Sequence, residues 1–439
     1  MGKKILQWLI THRVPALSLL FIGFILYASI QSRGYQALLA TRWMNIFNYD
    51  DFQTWEQIWA YFRDLRTGIP PFLSLLEVLA IKAGSQGEWI VRDFYRHALI
   101  LGLVLPFFFT QKKWRDGILS VGLAYLFFHS ALIVHEANAQ VYDVVLAPLL
   151  LLYLLLMRLA AREKSGWQTN LWAILAGCCL ALSELTRPFM LALLPILVAY
   201  SFFMLKPRSL RRFVYFLIPV LILSGGWHLK LLIVNDGQVV WSNHGGSNLA
   251  NAWGPLLDWD SLKAELQPEQ PPLQVNPWTW DNINTQVHYE NSKLKQQRVK
   301  EAIFSQPGKA WSHFWYKAGV FTSPRTDMYA SDPQDAILQV YRPVVRLLFY
   351  VLAVLLLIRA WQFVRKPAIW KEESSILLGI TFFLTLLPII GESGEEARFL
   401  ITVLPFLMWV GLYAVEEGTS AIRRLIAYQN DRQAKQPED

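Results

Sequence analysis

Residues 142–164 read YDVVLAPLLLLYLLLMRLAAREK. No charge interrupts the stretch from Val144 to Met157. Asp143 stands at one end, and Arg158, Arg162 and Lys164 crowd the other. As a helix, 142–159 would rise roughly 27 Å, close to the thickness of a hydrocarbon core. A segment of this length, acidic at one mouth and basic at the other, reads as a membrane span. Nine similar segments lie around it, near 14–31, 93–110, 117–134, 170–186, 188–205, 213–234, 344–362, 374–391 and 399–416.

The whole chain agrees with this reading. Of its 439 residues 54% are hydrophobic and only 17% are charged, against roughly 25% charged in ordinary globular domains. Mean hydropathy is +0.28. These values exclude a soluble enzyme, a disordered chain and a disulfide scaffold. The fold class expected is an all-α polytopic membrane protein of about ten helices. The first span resembles a secretory signal, with Lys3, Lys4 and Arg13 before an apolar run. No small-residue cleavage site follows, and Arg33, Tyr35 and Arg42 come instead, so it reads as a retained anchor.

The basic residues orient the spans. Lys3, Lys4 and Arg13 precede span one, and Lys112, Lys113 and Arg115 separate spans two and three. Arg158, Arg162 and Lys164 follow span four; Lys206, Arg208, Arg211 and Arg212 follow span six. Arg365, Lys366 and Lys371 follow span eight, and Arg423 and Arg424 follow span ten. Alternate threading puts all of these on one side, which the positive-inside rule makes cytoplasmic, with both termini. The net charge of +8 then needs no nucleic acid to explain it. Two long segments face outward, 32–92 and 235–343. The chain divides accordingly into a transmembrane module (1–234) holding the first outer loop, an outer region (235–343), and C-terminal spans with a short tail (344–439). Two amphipathic helices are expected in the outer region, about 290–304 and 308–320. The second carries Trp311, Phe314 and Trp315 beside Lys309 and Lys317, the composition of a helix lying in the bilayer interface.

The two cysteines, Cys178 and Cys179, are adjacent in an apolar run, where neighbouring helical positions point apart; they read as apolar fillers. Ionisable groups at membrane depth are functional candidates by default. Here they collect at the outer ends of spans. Asp50 and Asp51 lie in the first outer loop. His135, Glu136, Asn138 and Asp143 lie between spans three and four. Glu184 and Arg187 end span five, and Glu392, Glu395, Glu396 and Arg398 precede span ten. Four separate pieces of chain thus bring acids and arginines to one membrane face.

Each candidate has a plain alternative. Adjacent carboxylates such as Asp50 and Asp51 can divide the work of orienting and deprotonating a hydroxyl, or one can cap a helix over 52–65. Asp143 can likewise cap span four. His135 and Glu136 join it as oxygen and nitrogen donors, but no ligand spacing supports a divalent metal, and no other cofactor is implied. Arg187 can pair with Glu184 at i,i+3 or grip a phosphate with its planar fork. Arg398 has the same choice, with Glu395 and Glu396 beside it. The outer aromatic residues, Trp55, Trp59, Tyr61, Trp241, Trp253, Trp278 and Trp280, suit sugar stacking, but aromatic residues crowd membrane interfaces in any case.

Several of these pieces, in order, resemble the membrane-embedded glycosyltransferases of the GT-C class, above all the group of the protein O-mannosyltransferases and the aminoarabinose transferase of lipid A. Asp50-Asp51 is similar to that group's Asp-Glu pair. Gly68-Ile-Pro70-Pro71-Phe72 is similar to its Pro-Pro-Leu-Tyr segment, and Glu88-Trp-Ile-Val-Arg92 to its arginine-containing approach to span two. Asp143 matches a second acidic position. Leu185-Thr186-Arg187-Pro188 resembles its Leu-Thr-Lys/Arg stretch. Ala302-Ile-Phe-Ser-Gln-Pro307 resembles a later helix, and Glu396-Ala-Arg398-Phe399 its Glu-x-Arg-Tyr.

The resemblance implies an inverting transferase that moves a sugar from a polyprenyl-phosphate donor to the hydroxyl of an envelope glycan, lipid or protein. Asp50, Asp51 and Asp143 would be catalytic, and Arg187 and Arg398 would hold the donor phosphate. His135, Glu136, Glu184 and Glu396 would support them. The absence of any Asn-x-Ser/Thr sequon favours a bacterial inner membrane, with the site facing the periplasm. A transporter or flippase of a lipid-linked substrate is the competing class. It fits less well, because the polar groups gather at one face and no repeat symmetry is visible.

Overall fold

The computed structural model describes residues 13–31, 54–64, 71–83, 85–110, 113–138, 142–162, 166–207, 209–238, 245–267, 286–322, 336–391 and 396–434. Among the described residues the regular structure is helical throughout, with no strand. The helices run α1 (Arg13–Gln31), α2 (Trp55–Asp64), α3 (Pro71–Lys82), α4 (Ser85–Val104), α5 (Trp114–Asn138), α6 (Leu146–Ala160), α7 (Trp167–Thr186), α8 (Leu194–Leu205) and α9 (Leu210–Val234). After these come α10 (Gly245–Ala252), α11 (Trp259–Glu265), α12 (Gln286–Ser305), α13 (Pro307–Thr322), α14 (Ala336–Arg365), α15 (Glu373–Gly391) and α16 (Glu396–Ala434). A helix stands at every position where a span was expected, and α12 and α13 stand where the two amphipathic helices were.

Among the described residues, five helical stretches are long and apolar enough to cross a membrane: Trp167–Thr186, Leu210–Val234, Gln339–Arg365, Glu373–Gly391 and Phe399–Gln429. Leu19–Gln31, Leu146–Ala160 and Leu194–Leu205 are shorter apolar helices. The protein is an all-α integral membrane protein. Burial follows from that. In α16 every residue from Phe399 to Val410 is buried, as befits a helix apolar on all sides at the centre of a bundle. By contrast α14 exposes Leu347, Tyr350, Val354, Leu357, Trp361 and Val364, an apolar flank that only a lipid solvent tolerates on this scale.

Polar contacts between helix ends follow the alternate threading. At the basic ends, Arg158 at the close of α6 pairs with Glu373 at the start of α15 and donates to Phe108 O (3.0 Å). Arg212, buried at the start of α9, donates to Ala160 O (3.1 Å) and Arg162 O (2.7 Å), filling the open carbonyls where α6 ends. Arg115 reaches Thr419, and Arg359 pairs with Glu372 at 2.8 Å. At the other ends, Tyr27 Oη meets His129 Nε2 at 2.7 Å, and Trp253 donates to Ile390 O at 2.8 Å.

Close helix approach is set by small residues. A Cβ on Gly177 of α7 would lie 2.1 Å from Phe216 O and 2.7 Å from the Pro219 ring of α9. Immediately after Pro219, α9 widens into one π-helical stretch, Val220–Gly225. Proline removes a backbone donor there, and such bulges often accompany functional sites.

The segment 245–322 builds its own small core from Ala250, Trp253, Leu256, Val299 and Ala310. Gly246 N donates to Ser292 Oγ at 3.0 Å, and Asn291 exchanges two 3.0 Å hydrogen bonds with the Gln267 backbone. Within α13, Ala310, Lys317 and Phe321 are buried, while Trp311 (62% exposed) and Trp315 (56%) stand outward.

Candidate functional site

The best-defined part of the candidate site is the end of α7. Its last turn carries Glu184 and two hydroxyls that return to their own helix: Ser183 Oγ donates to Cys179 O and Thr186 Oγ1 to Leu182 O, both at 2.7 Å. Arg187 follows with φ −145° and ψ 119°. That extended conformation is what a following proline imposes. Pro188 then opens a 3₁₀ turn, Pro188–Ala192, in the first-turn role expected of it. The break turns the guanidinium out of the helix course. It lies, buried, 5.1 Å over the ring of Phe399 in the first turn of α16.

Glu184, one turn earlier, is buried. Its Oε1 lies 2.7 Å from His228 Nε2, on the second half of α9. Its other oxygen, Oε2, is buried and has no hydrogen-bond partner. The i,i+3 pairing of Glu184 with Arg187 open from sequence therefore gives way to a cross-helix pair with His228. A carboxylate near a helix C-terminus faces the negative end of the helix dipole, so a partner from another helix is what stabilises it.

His228 was not foreseen. The signal was present: in LSGGWHLKLLIV, residues 223–234, an imidazole and, two residues on, Lys230 interrupt an apolar span. It lines a cavity of about 400 Å³ walled by Leu191, Leu194, Val220, Leu221, Ser224 and Leu232 among others.

The remaining candidates are placed as follows. Asp50 and Asp51 lie outside the described residues. Their alternative duty as the cap of the following helix is filled by another residue. Thr54 Oγ1 accepts from Gln57 N (3.2 Å) while Gln57 Oε1 accepts from Thr54 N (2.8 Å), a capping box that starts α2 at Trp55. Asp143 lies in a 3₁₀ turn, Tyr142–Val145, that packs against α4, α7 and α16. The N-cap position of α6 is Val145, two residues beyond Asp143. His135 and Glu136 fall on the final turns of α5, and Glu396 and Arg398 on the first turn of α16; for these four and Asp143 the description is of the backbone alone. Glu392 and Glu395 lie outside the described residues. The chain thus brings together the end of α7, the start of α16 at Phe399 and the His228 region of α9. Among the described residues no cluster of three His, Cys, Asp or Glu is arranged to hold a metal, and Cys178 and Cys179 are both free.

No protein-family model matches the chain, and no curated protein matches it in sequence. Among solved structures it is similar to ArnT from Cupriavidus metallidurans bound to undecaprenyl phosphate, with 13% identity over 90% of this chain and 77% of that one, at a TM-score of 0.33.

Proposed function

We propose that this protein is an inverting glycosyltransferase that moves a sugar from a polyprenyl-phosphate donor to an acceptor hydroxyl at the outer face of a bacterial inner membrane. The observation that supports the reading most is the meeting of Arg187 with Phe399, the residue next to Arg398. Two arginines from helices far apart in sequence thereby belong to one end of the bundle. A guanidinium pair is the recognition element a phosphate monoester or diester calls for.

In this reading the polyprenyl tail lies among the spans, and its phosphate and sugar sit at the interface. The acceptor hydroxyl approaches from the aqueous side. Asp50, assisted by Asp51, takes its proton as the oxygen attacks the anomeric carbon. The polyprenyl phosphate departs from the opposite face of the sugar, so the configuration inverts. Arg187 and Arg398 balance the negative charge that grows on the leaving phosphate, and they are worth most if held in place beforehand. Asp143 orients the acceptor, with His135 and Glu136 nearby in the chain as supports and Glu396 supporting from beside Arg398. Glu184 acts at one remove, through His228. The domain division into 1–234, 235–343 and 344–439 fits a donor site formed by the first and third parts.

The test is direct. The purified protein is incubated with a panel of polyprenyl-phosphate sugars and an extract of envelope acceptors, and release of free polyprenyl phosphate is measured. Release with at least one donor, lost in Asp50→Asn, supports the proposal; no release with any donor overturns it.

A further inference from the structure

The cavity beside His228 has features of a binding site in its own right. It lies between the 3₁₀ turn after Arg187 and the π-helical stretch of α9, and its volume of about 400 Å³ falls in the range of small-molecule pockets, roughly 300–1,000 Å³. Its walls are leucine and valine, with Ser224 and His228 as the polar residues. It is continuous with an exposed apolar flank of α9, where Leu221 is 59% and Leu229 58% exposed. In a membrane protein that flank faces lipid, so the cavity is a lateral groove open to the bilayer.

His228 decides what such a groove can recognise. Its Nε2 is engaged by Glu184, whose remaining oxygen is buried without a partner. That contact takes Nε2 and leaves Nδ1 for an occupant, and a hydroxyl, which can both donate and accept, pairs with a ring nitrogen in either role. The fitting occupant is an apolar chain that ends in a small hydrogen-bonding group. A phosphate or carboxylate head would bring a second negative charge beside Glu184. An ammonium head would have to shed its hydration in an apolar groove, at a far greater cost than a hydroxyl. From the groove and the pair alone, without dependence on sugar transfer, we propose that it binds a neutral long-chain alcohol, with the hydroxyl hydrogen-bonded to His228 Nδ1. If the transferase reading holds, this names the acceptor class as a lipid-borne hydroxyl.

The test uses the intact protein in lipid nanodiscs and three photoactivatable long-chain probes: an alcohol, an alkyl phosphate and the plain hydrocarbon. Labelling of residues 220–232 is quantified by peptide mass spectrometry. The alcohol is expected to label about fivefold more than either competitor, the factor that one net hydrogen bond of about 1 kcal/mol supplies. His228→Phe is expected to erase that preference while leaving hydrocarbon labelling in place, which also reports that the groove is intact. Leu221→Trp, on the exposed flank, is expected to fill the groove and suppress all three. Equal labelling by alcohol and hydrocarbon in the unmodified protein would overturn the proposal, as would stronger labelling by the phosphate or a preference that survives His228→Phe. The comparison of three probes on one unmodified protein keeps the result decisive even where a variant misfolds.

Discussion

Glu184 and His228, from helices 44 residues apart in sequence, meet at 2.7 Å with the carboxylate buried and the imidazole partly open. Removing one member leaves the other in an apolar setting. His228→Leu should destabilise the protein by about 3 kcal/mol, the low end for breaking a buried pair, because His228 is itself 26% exposed. Glu184→Leu with His228→Leu should recover much of that loss, since two apolar side chains leave no uncompensated charge. Thermal unfolding in detergent of the two single variants and the double variant measures the coupling. Additive losses would show that the contact contributes nothing of its own.

Gly177 tests how α7 and α9 are held. The atoms a side chain would strike are the Phe216 carbonyl and the Pro219 ring, and neither can swing aside. Gly177→Ala should therefore push the helices apart and cost about 1–3 kcal/mol. Gly122, which has open space around it, is the control: alanine there should be neutral or slightly stabilising. The same thermal melts compare the two.

Arg298 bridges Glu265 (2.5 Å) and Glu301 (2.6 Å) on the surface of the 245–322 segment. Hydrogen bonds from Gln297 and then Arg298 hold the Glu301 carboxyl below the usual carboxylate range. The same contacts, Glu265 first, hold the guanidinium above its ordinary value. A carboxyl depressed on folding stabilises above the ordinary carboxylate range and loses that contribution as pH falls through its folded value. Glu301→Gln should lower the unfolding midpoint slightly at neutral pH, and the difference from the unmodified protein should vanish under acid conditions. A difference that persists in acid would mean the pair is irrelevant. High salt should reduce the neutral-pH effect, as for any exposed pair.

The architecture was legible because hydropathy and charge both report on the bilayer. Long apolar runs must be helical there, as no water satisfies the backbone; basic residues mark one set of ends. The interfacial reading of 308–320 had the same physical basis, and Trp311 and Trp315 do stand outward. The site was less legible. Thr54 and Gln57 spell a capping box, yet the more conspicuous Asp50-Asp51 drew the capping alternative. His228 was hidden inside a span whose hydropathy was read as a whole. The choice of His228 over Arg187 by Glu184 depends on how α7 and α9 pack, which spacing along one helix does not encode. The π-helical widening after Pro219 that accompanies the groove is a property of the folded helix as well.

The outward aromatic pair of α13 makes the last prediction. Trp311 and Trp315 are edge-to-face at 5.4 Å between ring centroids, and Trp311 stacks on Phe314. An aromatic face on the exposed side of a short helix, with Lys317 turned inward, is the arrangement that places a helix along a membrane surface. The chain has 19 tryptophans, so total fluorescence is blind to two of them. The difference between the unmodified protein and Trp311→Phe with Trp315→Phe isolates their signal. In bilayers carrying lipids brominated near the headgroup, that difference signal should be strongly quenched, and much less so when the bromine lies near the end of the acyl chain. Quenching by aqueous iodide instead of brominated lipid would place the aromatic face in water and leave α13 free of the membrane.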